Sequence, residues 1–122
     1  RERCGLLAYY PLAAGALSGK YRGGQKPKNA RMTLFKGWER MINPLAMKAY
    51  DEYYKLAKEQ NITMVQLAQA FVNSRPFVTS NIIGATTMDQ LKENIGSINI
   101  ELTEEIIEKI NIIHNNNPNP AP

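Results

Sequence analysis

Apolar and polar positions follow two different periods along this chain, and the changes of period mark its elements. Leu6-Leu7-Ala8-Tyr9-Tyr10 is a short apolar run that predicts a buried strand, ended by Pro11, which has no N–H for a ladder. A small, glycine-punctuated segment from Pro11 to Tyr21 follows, then a polar loop to about Asn43. A loop of that length is expected to be a functional lid or disordered, and Phe35 and Trp38 argue for partial docking. Pro44 suits the first turn of a helix, and Leu45, Ala49, Tyr53, Leu56 and Ala57 mark its buried face through about Gln60. Thr63 with Gln66 forms a capping box for a second helix, whose apolar stripe is Val65, Ala68, Phe71 and Val72. Arg75-Pro76 ends it.

The stretch from Val78 to Ile95 organises the rest. A β-branched run, Val78 to Ile83, predicts a second strand that breaks at Gly84. Met88, Leu91 and Ile95 then fall at i, i+3 and i+7, the expected buried face of a helix that Thr87 and Gln90 begin with a second capping box. Ile98, Ile100 and Leu102 alternate briefly before Thr103 caps a last helix, with Glu104 and Glu105 in its first turn. Ile106, Ile107, Ile110 and Ile113 form its apolar face. Residues 115–122, polar and proline-rich, are expected to be a loosely held tail.

Two buried-type strands separated by helices imply an α/β fold with a right-handed parallel crossover. A parallel sheet of only two strands would leave both edges unpaired, so a larger sheet is expected around it. The reading is therefore that residues 1–122 are the C-terminal part of one (β/α)₈ TIM barrel, its last two βα units plus a C-terminal helix. Loops after the last two strands of such barrels commonly build a phosphate site.

Composition adds bounds rather than a function. The chain has 122 residues, 43% hydrophobic and 21% charged, enough for one modest globular core. Its longest nearly uncharged run, Gly5 to Gly19, is too short and too interrupted to span a bilayer. No signal peptide is visible at Arg1-Glu2-Arg3-Cys4, and one cysteine forms no internal disulfide, which fits a cytoplasmic location. Cys4 is expected to be a small buried hydrophobe.

Charge changes the picture more. The net charge is +4, but Lys20, Arg22, Lys26, Lys28, Arg31, Lys36 and Arg40 stand against Glu39 alone between positions 20 and 40, leaving the rest of the chain net negative. Such a loop invites a nucleic acid, a membrane surface or a phosphorylated cofactor, or it is simply a solvated basic loop. It lacks the regularly interleaved aromatics of a base-stacking surface, so nucleic acid is not the expected partner, and no membrane partner is expected either. The Gly84-Ala85-Thr86-Thr87 corner suits a phosphate, because free N–H groups and the positive end of a helix dipole meet there; an ordinary strand-to-helix turn has the same pattern. His114 has no second histidine or nearby cysteine, and no metal site is expected.

Two segments resemble the aldo-keto reductase family: Ala8-Tyr9-Tyr10-Pro11-Leu12-Ala13-Ala14-Gly15-Ala16-Leu17-Ser18-Gly19-Lys20-Tyr21, and Ile82-Ile83-Gly84-Ala85-Thr86-Thr87-Met88-Asp89-Gln90-Leu91-Lys92-Glu93-Asn94-Ile95. Gln66 to Val72 also fits, and the likeness is to the bacterial Tas-type and potassium channel β-subunit-like branches. The resemblance implies a barrel that binds NADP(H) and reduces a small-molecule carbonyl, an aldehyde or ketone, by hydride transfer. On that basis Tyr9 would stack on the nicotinamide. Pro11, Leu12, Ala14, Gly15, Ser18 and Lys20 would follow the pyrophosphate, and Arg31 would reach the adenosine end. Gly84, Thr86, Gln90, Glu93 and Asn94 would surround the 2′-phosphate and adenine.

Departures from the family pattern matter. Tyr10 stands where many members have Ser, and Gly84 and Gln90 stand where other branches carry Lys and Arg. A preference for NADP over NAD would then rest on Lys20, Arg31, Thr86 and Gln90. The family's Asp, Tyr, Lys and His tetrad belongs to earlier strands, so no catalytic residue is assigned here and the missing N-terminal barrel portion is the expected partner. The chain alone is expected to be inactive. A stand-alone nucleotide-binding or interaction fragment is the alternative.

Overall fold

A computed structural model of the chain describes residues 4–121. The opening Arg1-Glu2-Arg3 and the last residue of the expected tail, Pro122, lie outside the described residues. Strand β1 spans Leu6–Tyr9 and β2 spans Val78–Ile82. They pair in parallel, as the crossover pattern predicts, with Leu6 opposite Val78, Leu7 opposite Ser80 and Tyr9 opposite Ile82. Thr79 is the extra residue that slips the register between Leu6 and Leu7, and its hydroxyl fills the space where a side chain on Gly5 would stand.

Between the strands come a short helix α1 (Arg31–Leu34) and two longer ones, α2 (Pro44–Glu59) and α3 (Met64–Asn73). After β2 come α4 (Met88–Gly96) and α5 (Glu104–Asn116). Each long helix starts where its cap predicts. Asn43 accepts from the Ala46 N–H at 3.0 Å ahead of Pro44. Thr63 and Gln66 close a full capping box at 3.1 and 2.9 Å, and Thr103 caps α5 at 3.3 Å. Helices α2, α3 and α5 share one core, centred on Ala46, Leu56, Met64, Leu67, Ile106 and Ile110.

The face of α5 is the predicted one, with Ile106, Ile110 and Ile113 buried and Ile107 half-buried, whereas the faces of α2, α3 and α4 are turned from the predicted ones. In α2, Ala49, Leu56 and Ala57 are buried, but Leu45 is exposed and Tyr53 half-buried, while Ala46 and Tyr50 take the inward places. In α3, Val65 is buried and Ala68, Phe71 and Val72 are half-buried, because the face against α2 and α5 is centred on Met64 and Leu67. The expected face of α4 is overturned. Met88 and Ile95 are 64% and 57% exposed, Leu91 is half-buried, and the residue packed inward is Asn94. The strands, expected to be buried, are also open: Leu6, Leu7, Tyr9 and Ile82 are all exposed. No described element covers that face.

Three smaller expectations also change. Cys4 is exposed rather than buried. The basic loop is built of 3₁₀ turns at Arg22–Gly24 and Glu39–Ile42 around α1, and Arg22 clamps it to α2 through Asp51 (2.7 Å) and the Tyr54 ring (3.6 Å). Trp38 docks near Tyr10, with ring centroids 6.1 Å apart, whereas Phe35 stays exposed. The tail is tied down: Asn117 is buried and donates to Glu52 and to the Ile113 carbonyl, and the Pro120 carbonyl accepts from Asn43 at 2.6 Å. Among the described residues no helix is long and apolar enough to cross a membrane.

Candidate functional site

The pairing of Tyr9 with Ile82 delivers two loops to the same end of the sheet, one leaving each strand. The first is held in a conformation that side chains seldom adopt. Tyr10, Ala13 and Ala14 have φ of 59°, 48° and 56°, and Gly15 has 95°. A left-handed residue that is not glycine costs on the order of 1–2 kcal/mol, so this turn is maintained against its own backbone preference. Short bonds hold it: Ala13 N–H to the Tyr10 carbonyl (2.9 Å), Gly15 N–H to the Leu12 carbonyl (2.8 Å), and the Ser18 hydroxyl to the Gly15 carbonyl (2.7 Å). Pro11, Leu12 and Ala14 lie half-buried along it.

Gly15 does a second job. A Cβ there would stand 3.1 Å from Lys20 Cε and Nζ, so its absence lets the ammonium lie over the loop backbone. Lys20 Nζ is 5.3 Å from the Tyr21 ring, and the buried Tyr21 hydroxyl accepts from the Met32 N–H at 3.1 Å. That bond draws α1, and with it Arg31, beside the loop. The Arg31 guanidinium lies 5.6 Å from the Trp38 ring. No carboxylate among the described residues is within ion-pair distance of Lys20 or Arg31. Tyr9, at the strand end, is 71% exposed and stands edge-on to Tyr10 at 5.1 Å.

The second loop is the strand-to-helix corner. Gly84 is exposed with open space where a side chain would be, and its carbonyl accepts from Asn94 Nδ2 at 3.2 Å. Thr87 caps α4 by accepting from the Gln90 N–H at 3.3 Å. The return half of the expected capping box goes elsewhere: Gln90 Oε1 accepts from the Thr86 N–H (2.9 Å) and hydroxyl (3.0 Å) rather than from Thr87. An anion arriving at Thr86 would compete with an amide oxygen for the same two donors.

Glu93 and Asn94 are engaged inside the protein. Glu93 Oε1 accepts from the Thr63 hydroxyl at 2.6 Å, tying α4 to the cap of α3. Asn94 is buried, with Oδ1 accepting from Gln69 Nε2 at 3.2 Å. The structure therefore gathers Tyr9, the Pro11–Lys20 loop and Arg31 after β1, and Gly84, Thr86 and Gln90 after β2, with Glu93 and Asn94 behind the second corner. Sequence periodicity passes over Gln69, which is 0% exposed, and over Asn81, Asn73 and Ser97, which bond to one another around it. A glutamine among the apolar positions of a helical stripe was the available signal.

Among the described residues, no three His, Cys, Asp or Glu side chains are grouped to hold a metal ion. His114 is exposed near the end of α5.

The sequence matches the Aldo/keto reductase family over residues 3–115. It is 44% identical over 117 residues to Protein tas of Escherichia coli (strain K12), an alignment covering 96% of this chain and 34% of that protein. It is 32% identical over 120 residues to a probable voltage-gated potassium channel subunit beta of Oryza sativa subsp. japonica, covering 93% and 36%. An aldo-keto reductase of Babesia bovis is 35% identical over 114 residues, covering 89% and 40%. The chain thus spans about a third of the length of the curated relatives it matches. With the strand-end loops in place and the match running through nearly every described residue, the chain belongs to the aldo/keto reductase family.

Proposed function

We propose that this chain is the cofactor-binding end of an aldo/keto reductase barrel, its last two βα units with the C-terminal helix. In the complete protein it would serve the reduction of a small aldehyde or ketone by NADPH. The observation that carries the reading is the pair Lys20 and Arg31, two cations without a carboxylate partner among the described residues, beside a loop held in left-handed geometry. These residues fit a phosphorylated dinucleotide. Gly15 admits close approach of the backbone, Lys20 and Arg31 supply positive charge, and Gly84 leaves the second corner open.

The cofactor, when bound, supplies the hydride. The chain's own residues bind and orient. The exposed Tyr9 ring offers a flat face to a nicotinamide, and Ser18 stiffens the first loop through the Gly15 carbonyl. Thr86, once released by Gln90, offers an N–H and a hydroxyl to a 2′-phosphate. No residue of this chain is assigned a proton-transfer role; that chemistry is proposed for the N-terminal barrel portion, which the open apolar face of β1 and β2 is suited to meet.

Calorimetric titration with NADP⁺ and NAD⁺ in parallel tests the reading. Saturable binding of NADP⁺ that weakens without the 2′-phosphate, and weakens again in Lys20→Ala and Arg31→Ala, is the expected result. A folded complete protein that binds no nicotinamide nucleotide overturns it. Likeness to a protein named as a channel subunit favours a second reading, a nucleotide-binding interaction partner without turnover. A complete protein that binds NADP⁺ yet leaves an aromatic aldehyde unreduced by NADPH would select that one.

A further inference from the structure

Five polar side chains close a ring between the second strand and the helices that flank it. Asn81 Nδ2 on β2 donates to Gln69 Oε1 (2.7 Å) and Asn73 Oδ1 (3.1 Å), both on α3. Gln69 Nε2 donates to Asn94 Oδ1 on α4 (3.2 Å). Ser97 Oγ donates to the Asn94 carbonyl (2.6 Å) and accepts from Asn73 Nδ2 (3.5 Å). Among the described residues the ring sends one side-chain bond outward, from Asn94 Nδ2 to the Gly84 carbonyl (3.2 Å), and Asn81 Oδ1 is buried without a partner. Among the described residues, Gln69 and Ser97 are the largest side chains buried almost completely.

A buried amide has two unlike ends, and its neighbours decide which way it faces. Asn81 offers a donor, so Gln69 turns its oxygen to Asn81 and its nitrogen to Asn94. Asn94 must then present Oδ1 to Gln69, which leaves Nδ2 for Gly84. The Gly84 carbonyl and the Ala85 N–H belong to one planar peptide and point in opposite directions, so fixing the first aims the second. An apolar residue of similar size at position 69 would fill the space with no such consequence for the corner. From this geometry we infer that Gln69 is a positioning residue for the Gly84–Thr86 corner, acting through Asn94. The inference rests on the proposed cofactor reading for its consequence in binding, and on the hydrogen-bond geometry alone for its consequence in structure.

The test compares Gln69→Leu with Asn73→Ala in the full chain. Asn73→Ala opens the ring on the far side and leaves the Gln69–Asn94–Gly84 relay intact, so it reports a loss of packing alone. Both variants are expected to melt at lower temperature. Only Gln69→Leu should shift the Ala85 and Thr86 amide resonances, quicken their hydrogen exchange and weaken 2′,5′-ADP binding by about tenfold, the equivalent of one hydrogen bond. Gln69→Glu keeps the side-chain shape and the acceptor for Asn81 while removing the N–H toward Asn94, and answers the same question should Gln69→Leu unfold. Unmoved Ala85 and Thr86 amides in the folded Gln69 variants, or an equal loss of binding in Asn73→Ala, overturn the positioning role. A wild-type chain that fails to bind 2′,5′-ADP, with these amides still displaced in the Gln69 variants, overturns the cofactor reading and supports the positioning role.

Discussion

The helical side and the sheet side of this molecule are both rich in apolar residues, yet they end in opposite environments. Leu56, Leu67 and Ile110 are buried between α2, α3 and α5, whereas Leu7 on β1 is 60% exposed and Ile82 on β2 and Met88 and Ile95 on α4 are exposed as well. The difference does not lie in local preference, since β1 and α4 both form where their patterns place them. It lies in partners. Three helices supply one another with a facing surface, while two strands have a face and edges that no described element meets. An apolar stripe states what a face is able to bury, and only a neighbour decides whether it does.

Truncating one leucine on each side gives the largest contrast. Leu67→Ala removes a buried side chain from the helical core and should destabilise the chain by about 2–5 kcal/mol. Leu7→Ala should fall within about 0.5 kcal/mol in the same chemical denaturation, since its side chain already meets solvent. Equal losses would break the comparison and mean that the sheet face is covered in solution.

Caps sharpen it next. Thr63→Ala removes a full capping box and the bond to Glu93, a loss of about 1–2 kcal/mol. Thr87→Ala removes only one cap bond of 3.3 Å at an exposed helix start and should cost about 0.5 kcal/mol by the same measurement.

Within the helical core, the Tyr50 hydroxyl is buried without a hydrogen-bond partner among the described residues. Tyr50→Phe should therefore raise stability by up to about 1 kcal/mol, read as a higher melting temperature. The smallest effect is a pH dependence. Burial raises the phenol of Tyr50, and burial followed by the Glu52 carboxylate raises that of Tyr53. A phenol raised in the folded state contributes stability that is complete below about pH 10, the ordinary tyrosine value. That contribution is lost as pH rises above it, because the unfolded chain ionises first. Ultraviolet titration should find these two phenols ionising later than in the unfolded chain, with stability declining over the same alkaline range.

The elements were legible because they are local. Pro44, Thr63, Thr87 and Thr103 open helices where they stand in sequence, and the β-branched run ends at Ile82, one residue short of the predicted Ile83. The candidate site was legible as two segments, since Tyr9 to Lys20 and Gly84 to Asn94 each carry their own pattern. That Gln90 would answer to Thr86, and that Glu93 and Asn94 would bond inward, was not. The Glu93 and Asn94 bonds depend on α3 lying behind the corner, a relation between residues 63–73 and 84–97 that no periodicity expresses, while the Gln90 bond is set by the local turn of the corner.

Sequence alone thus determined the order of the strands and the long helices, the starts of those helices, the basic loop and the parallel pairing, but not the short helix α1 within that loop. The helix starts follow from backbone preferences and short-range caps, which need only neighbouring residues, and the parallel pairing follows from two strands separated by helices. Tertiary structure decided which faces are buried. It set Asn94 rather than Ile95 against α3, left the strands open, and closed the amide ring around Gln69. Burial and hydrogen-bond direction are set by what arrives from elsewhere in the chain, and an amide takes its orientation from its partner rather than from its own place in the sequence.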